Sequence, residues 1–227
     1  MTSINESQFF VLAKSLKKEF EAVGAYSLVA GKRYRSLLEL RLRKANLKNE
    51  HTQIADALVV MMNPGGSEPL CGWGKAPKTL TPAKPDITQY QIMRLMKVFQ
   101  WKLVRVINLS DLVDKKSASF RKKLGGLSPE HSIFSASRKS QLQHNIENAN
   151  IVLCAWGCHV GLRQLSKSAI NSLPLKLYGL KGATDFSYKH PLPRLAQARR
   201  EWLTDTIAML KTVAPAHPKR NGRLYES

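Results

Sequence analysis

Acidic residues, cysteines and long apolar runs are all scarce in this sequence of 227 residues. Three cysteines (Cys71, Cys154 and Cys158) are too few for a disulfide framework, so we expect a reducing compartment. The chain begins with polar residues, and none of its apolar stretches approaches membrane-spanning length. We therefore predict a cytoplasmic protein that does not enter a membrane.

The shortage of acidic residues leaves a large positive charge. The chain has 36 Lys and Arg against 16 Asp and Glu, a formal net charge of +20. The basic residues are distributed along the whole chain, which is typical of a protein that lies along a polyanion and displaces its counterions. On charge alone, DNA and RNA are equally good candidate partners. A basic surface that serves only solubility is a weaker explanation.

One cysteine pair has the spacing of a partial metal site. Cys154 and Cys158 are followed by His159, and cysteine and histidine are common zinc ligands. Cys154 belongs to the apolar run IVLCAW, however, so its side chain is expected in the core, and a fourth ligand is not evident. We predict no metal site.

Apolar patterning predicts alternating strands and helices. A first helix is expected over residues 4–22 after the Ser3–Glu6 capping box, and a hairpin follows around Gly31. Four continuous apolar runs then predict buried strands: ALVVMM (57–62), LVRVINL (103–109), IVLCAW (151–156) and LKLYGL (175–180). Helices are predicted over 86–100 (with Asp86 and Gln89 as the capping pair), 135–147, 158–171 and 195–212.

Buried strands that alternate with helices indicate an α/β protein. We predict a single-domain αβα sandwich with a central, mainly parallel four-stranded sheet. Residues 1–50 would form a helix and hairpin packed on the core, residues 51–213 the α/β domain, and residues 214–227 a basic tail. The protein is expected to be a monomer.

Polar residues follow three of the four predicted strands. The first is followed by Asn63-Pro64-Gly65-Gly66, the second ends in Asn108 with Asp111 nearby, and His190 follows the fourth. In parallel sheets, ligands bind beyond the carboxyl ends of the strands. We therefore predict that Asn63, Asn108 and His190 line one cleft.

The order of these segments resembles the uracil-DNA glycosylase superfamily. MMNPGG is similar to GINPG of its mismatch-specific branch and GQDPYH of its strict uracil branch. VINLSDL resembles the strand end LLLNxxLT, IVLCAWGCHV is similar to VVFLLWGxxA, and KHPLPRL resembles HPSPLS. Together the four segments cover roughly residues 55–200. The same segments also resemble a bacterial domain family of unassigned function.

The resemblance implies a monofunctional DNA glycosylase of uracil-DNA glycosylase-like fold, with neither cofactor nor metal. Its partner would be double-stranded DNA with a flipped base. Asn63 would hold the attacking water, and His190 would donate a hydrogen bond to the departing pyrimidine. The base would be bound by Asn108, Asp111, Gly65 and Gly66, and the DNA by Arg194, Leu192, Lys189, Arg121, Lys122 and Lys123.

Two positions bear on the substrate and on base extrusion. Gly65 stands where the strict uracil branch has a tyrosine that blocks substituents at pyrimidine C5, so thymine or a modified cytosine, as in foreign DNA, becomes admissible. Arg194 stands where the superfamily inserts a side chain into the duplex. It would either fill the gap left by the base or contact a phosphate.

Three functions remain open from the sequence. The first is base excision, in DNA repair or in defence against foreign DNA. The second is a non-catalytic nucleic-acid-binding protein that retains the glycosylase fold. The third is an enzyme of small nucleosides or nucleotides, which the broad basic surface argues against.

Overall fold

A seven-stranded mixed β-sheet forms the centre of the protein in its computed structural model, which describes residues 13–45, 47, 53–73, 80–174 and 176–213. The sheet order is β4-β5-β1-β2-β6-β3-β7. The strands are β1 (Phe20–Val29), β2 (Lys32–Leu42), β3 (Ala57–Met61), β4 (Glu68–Pro69), β5 (Thr81–Lys84), β6 (Leu103–Asn108) and β7 (Val152–Cys154). The protein is therefore an α/β protein, as the apolar pattern predicts.

Six α-helices and several 3-10 turns accompany the sheet in the described part of the chain. The helices are α1 (Ala13–Glu19), α2 (Ile87–Phe99), α3 (Ser117–Lys123), α4 (Lys139–Glu147), α5 (Arg163–Ser172) and α6 (Ala196–Val213). Two clusters of buried apolar side chains make up the core. Neighbouring residues of β3 divide between them, with Val59 in one and Leu58 and Val60 in the other, as expected for a strand buried on both faces.

The parallel part of the sheet is smaller than predicted. Among the strands of the described residues, only β6, β3 and β7 pair in parallel, and the other four pair antiparallel. The run predicted as a fourth strand (175–180) makes a single bridge to β7, in which Tyr178 donates to the Val152 carbonyl and accepts from the Cys154 amide. Pairing stops there because Gly179 follows with φ near +141°, a conformation that turns the chain away.

The prediction of four mainly parallel strands is wrong chiefly because the hairpin joins the sheet. β1 and β2 pair with each other, and β2 also pairs antiparallel with β6. Without β2, the backbone groups along that side of β6 would form an open edge. The predicted first helix is also too long at its end, because Phe20 and Ala22 belong to β1 and pair with Leu42 and Leu40.

The remaining helix predictions agree with the structure to within a few residues. Asp86 and Gln89 form the predicted capping box of α2, with both reciprocal hydrogen bonds present. The other three predicted helices correspond to α4, α5 and α6, the first two preceded by a 3-10 turn. Residues 4–12 of the predicted first helix and the basic tail (214–227) lie outside the described residues. Within those residues, each helix falls short of the length and apolarity needed to cross a bilayer.

A buried ion pair joins the hairpin to the parallel strands. Glu39 of β2 lies directly opposite Arg105 of β6, and its Oε1 accepts a hydrogen bond from Arg105 Nε at 3.0 Å. Glu39 Oε2 accepts a second charged hydrogen bond from Arg41 at 2.6 Å. The side chains of Glu39 and Arg105 are 2% and 3% exposed, so neither charge is solvated by water and each depends on the other.

We predict that Glu39→Ala lowers the free energy of unfolding by about 3–5 kcal/mol, because it leaves a buried guanidinium without its counter-charge. Urea denaturation measures the loss. The matched control is Glu21→Ala, which breaks the exposed ion pair with Arg43 and should cost less than about 1 kcal/mol. Equal losses in the two variants would contradict the role of the buried pair.

Candidate functional site

A cleft of about 340 Å³ opens beyond the carboxyl ends of β3 and β7. Its volume lies in the range of ligand-binding clefts. Polar side chains from six separate segments converge on it, and its wall includes Arg35, Asn63, Gly65, Asp86, Trp156 and His190. The structure therefore brings the two predicted catalytic residues together in one cavity.

Asn63 is held with its oxygen free. Its Nδ2 donates to the backbone carbonyls of Leu112 and Asp114, at 3.3 and 2.8 Å. These two acceptors fix the orientation of the amide, because only its nitrogen can donate. Among the described residues, none donates a hydrogen bond to Asn63 Oδ1. That oxygen is available to accept a hydrogen bond from a water or a ligand in the cleft.

His190 is oriented by the loop that carries it. Tyr188 bridges to Gly157 just beyond β7, and the Gly157 amide donates to the Tyr188 carbonyl at 2.7 Å. Nδ1 of His190 accepts from the Leu192 amide at 3.1 Å, so the neutral ring carries its proton on Nε2. Burial lowers the pKa of His190 below its usual value, against the opposing influence of Asp86. At neutral pH the ring is thus an uncharged donor.

Asp86 is a carboxylate in the cleft that the sequence reading assigned only to helix capping. Its Oδ1 accepts from the Gln89 amide at 3.1 Å, and its Oδ2 accepts from the Gly66 amide at 3.2 Å. Gly65 has φ near +65°, and a Cβ at this position would lie 2.8 Å from Asp86 Oδ2. Glycine at position 65 thus allows the backbone after β3 to lie against the carboxylate. Gly66, which was also predicted to bind the base, does not line the cleft and instead supports Asp86 through its amide.

Arg35 of β2 is a second residue in the cleft that sequence reasoning missed. It is 1% exposed, and its Nε and Nη1 have no hydrogen-bond partner among the described residues. Burial lowers the pKa of its guanidinium, while the nearby Tyr26, Asp86 and Asp111 act against this shift. A buried cation with unused donors is costly, so its presence in a cleft is a signal of ligand binding.

Asn108 and Asp111 are not in the cleft wall. Asn108 is fully buried at the end of β6, and neither amide atom has a partner among the described residues. It pairs in register with Met61, which does line the cleft, so it lies behind the wall. Asp111 forms an ion pair with Arg138 at 2.6 Å, and burial nevertheless raises the pKa of its carboxyl to about 6. Its backbone carbonyl accepts from the Arg35 amide, which makes it a support for that residue.

The predicted DNA-contacting residues divide into two groups. Arg121, Leu192 and Arg194 line the cleft. Lys122 and Lys123 instead border a separate hollow beside the β1–β2 turn, and Lys123 pairs with Asp114. Lys189 is exposed outside both cavities, and its carbonyl accepts from Trp202 Nε1. Basic side chains therefore border the cleft, but over fewer positions than the sequence suggested.

The side chains that follow β7 are mainly structural. Trp156 is fully buried, forms part of the cleft floor and donates from Nε1 to the Phe186 carbonyl. It packs edge-on against Tyr188 at 5.0 Å between ring centroids. Cys154 lies in the core, as predicted, and burial strongly raises the pKa of its thiol. Cys158 is exposed at the rim of the cleft.

Comparison with known protein families gives one match. Residues 41–192 match the family described as Protein of unknown function (DUF1643). The chain belongs to this family. The matched region of this DUF1643 protein includes Asn63, Asp86 and His190, whereas Arg35 precedes it. No curated protein and no solved structure matches the chain.

We predict that Gly65→Ala destabilises this DUF1643 protein more than Gly31→Ala. Both glycines have positive φ (+65° and +72°), so both substitutions carry the backbone strain of about 1–2 kcal/mol. Only the alanine at position 65 would also press on Asp86, because no described atom lies within 4 Å of a Cβ at Gly31. Urea denaturation compares the variants. Equal losses would show that Asp86 does not pack against Gly65.

Proposed function

We propose that this protein is a monofunctional DNA glycosylase that hydrolyses the N-glycosidic bond of a pyrimidine base flipped out of DNA. The main support is the presence of Asn63 and His190 in one cleft, each with the atom needed for this chemistry unoccupied. The segments that carry them resemble the two active-site motifs of the uracil-DNA glycosylase superfamily, and on this proposal the chain is a distant relative of it.

The reaction requires three contributions from the protein. Asn63 Oδ1 accepts a hydrogen bond from a water and holds it against C1′ of the flipped nucleotide. The bond between C1′ and the base nitrogen breaks, its electron pair stays with the base, and the water oxygen bonds to C1′. His190 Nε2 donates a hydrogen bond to the pyrimidine O2, where negative charge develops. The water loses a proton to solvent, and the released base takes one up.

The neutral form of His190 suits this role. Protonation of His190 would place a positive charge in a buried site. The cost of desolvating that charge is what lowers the pKa of the ring. A neutral donor that is already oriented by the Leu192 amide needs no reorganisation as charge develops on the base. The amide of Asn63 is a weak base, which is sufficient where bond breaking runs ahead of water attack.

The positive charge and the cleft rim support DNA as the partner. The chain carries a net charge of +20, and Arg121 and Arg194 lie beside the cleft where a phosphate backbone would pass. Leu192 and Arg194 follow His190 on the same loop, so a side chain that enters the duplex would lie on the loop that carries the catalytic histidine. Position 65 lacks the tyrosine that excludes C5 substituents in the strict uracil branch, which is the basis for including thymine and modified cytosines among the proposed bases, and Asp86 Oδ2 lies 2.8 Å from where a Cβ of residue 65 would be.

We predict that Asn63→Ala and His190→Ala each lower base release by about a hundredfold or more while DNA binding persists, because each removes one positioned group at the reacting centre. Duplexes with single altered bases, treated with alkali to cleave abasic sites, measure release, and electrophoretic mobility measures binding. His144→Ala, an exposed histidine on α4, is the matched control. Full activity in both cleft variants would contradict the mechanism. If the unsubstituted protein binds DNA but releases no base from any duplex, the result would instead favour a non-catalytic nucleic-acid-binding protein.

We also predict that base release stays constant from pH 8 down to about 6.5, the ordinary histidine pKa, and declines only below it. A lowered pKa means that His190 remains neutral to a lower pH than a free histidine, so the active form persists there. Rate profiles together with NMR titration of the His190 ring measure both quantities. A decline centred above pH 6.5, or a rise in acid, would contradict a neutral donor.

A further inference from the structure

Arg35 is a charged residue of the cleft whose hydrogen bonds are not all satisfied by the described residues of the protein. Its guanidinium is buried at the cleft wall, and two of its three nitrogens have no partner among the described residues. The nearby Asp111 is already paired with Arg138, at 2.6 Å. The unused Nε and Nη1 lie on different edges of the guanidinium, and each can donate to an acceptor of a ligand such as a base.

The local structure directs Arg35 to this position. Leu38 and Leu40 of β2 face the first core cluster, and a bulge at Ser36 shifts the register between Ala25 and Tyr26. Arg35 thereby becomes the direct partner of Tyr26 and shares its face of the sheet. The Tyr26 hydroxyl, bonded to Ser67 at 3.1 Å, interacts with the guanidinium. The arginine is thus held in place by its own surroundings.

Asp86 places an acceptor beside these donors. Its two oxygens each accept one backbone hydrogen bond, so about half of the four lone-pair positions of the carboxylate remain unused. Asp86 lines the same cleft and is near enough to both Arg35 and His190 to influence their pKa values. The cleft therefore presents a carboxylate, a guanidinium and a neutral imidazole to one ligand.

We propose that Arg35 and Asp86 select a cytosine-type base over uracil and thymine. Cytosine shows an amine donor followed by two acceptors, N3 and O2, along its free edge. Asp86 accepts from the amine, and Arg35 donates to the acceptors, with His190 at O2. Uracil and thymine place a carbonyl oxygen where cytosine has its amine, and that oxygen would meet the carboxylate. This selection rests on the proposed function, and it restricts the admissible C5-substituted bases to modified cytosines.

The expected discrimination is large enough to measure. A well-placed pair of hydrogen bonds to a base edge distinguishes bases by about tenfold to a hundredfold, and a mismatch that sets two acceptors against each other adds to it. The unsubstituted protein should therefore release cytosine or 5-hydroxymethylcytosine at least tenfold faster than uracil or thymine from matched duplexes. Comparable or faster release of uracil or thymine would overturn the selection and leave the proposed glycosylase activity intact.

Asp86→Asn gives the decisive variant. The amide side chain can donate to the carbonyl that uracil presents, so the ratio of cytosine to uracil release should fall by tenfold or more. A purely structural role in capping α2 would lower release of all bases alike. Asp205→Asn, an exposed aspartate on α6, is the control with the same change of charge and should keep the original ratio. An unchanged ratio in Asp86→Asn would overturn the assignment.

Arg35→Met tests the other half of the pair. Removing a buried charge with two nitrogens that lack a partner among the described residues should leave the melting temperature unchanged or raised, while the cytosine preference falls by tenfold or more. Arg33→Met, two residues away at an exposed position, makes the same change of charge and is the control. A retained preference in a folded Arg35→Met protein would overturn the role of Arg35.

Direct binding separates this proposal from the proposed function. NMR titration of the full chain with millimolar cytidine or uridine needs no catalysis. If no duplex releases a base but cytidine binds at least tenfold more tightly than uridine, and Asp86→Asn abolishes the difference, the glycosylase assignment fails and the selection stands. Uridine binding equal to or tighter than cytidine binding overturns the selection, whatever the activity.

Discussion

The ladder between β2 and β6 connects the two halves of the sheet. It buries the opposing charges of Glu39 and Arg105 between an antiparallel hairpin and a parallel core. Since neither charge has water to solvate it, the two strands are held in one register, and a slip of one residue would separate the ions. The same register positions the distal part of β2, where the bulge turns Arg35 toward the cleft.

The cleft combines two types of polar group that act differently. Asn63 and His190 are each fixed by backbone partners on one side and present a single atom on the other. Arg35 has most of its hydrogen-bonding capacity unused. The first arrangement suits groups that orient a water or a leaving base, whereas the second suits a group whose partner arrives with the ligand. Both depend on a low-dielectric environment in which hydrogen bonds are strong and unpaired donors are costly.

The sequence predicts the parts of the fold that local patterns determine. The apolar runs of β3 and β6 and the capping box of α2 can be read directly, because burial on both faces and reciprocal capping each leave a local signature. The partner of the hairpin cannot be read in this way, since the alternation around Leu38 and Leu40 specifies a buried face but not the neighbouring strand. The segment around Tyr178 gives the opposite error, in which a strand is predicted and not formed. Its apolar run has the composition of a strand but pairs with β7 at one residue alone.

The candidate site was partly predictable for the same reason. Asn63 and His190 follow strand-like runs, so the carboxyl-end rule for parallel sheets places them in a cleft. Asp86 was visible, but its capping role already explained it.

Arg35 lies in a hairpin where alternating charged residues are typical of an exposed face, and a one-residue bulge brings it onto the face of Tyr26. Such a bulge leaves no clear mark in composition, because serine is common in exposed strands and turns.

Two of the buried polar side chains with atoms that lack a partner among the described residues lie at the cleft or directly behind it. Arg35 lines the cleft, and Asn108 lies behind Met61 in its wall, with both amide atoms unpartnered among the described residues. A fold selected for stability alone would replace such residues with apolar ones, because an unsatisfied buried group costs free energy with nothing in return. Their position next to the oriented pair of Asn63 and His190 links that cost to the ligand. On the proposed function, a bound base would supply hydrogen bonds that Arg35 lacks among the described residues.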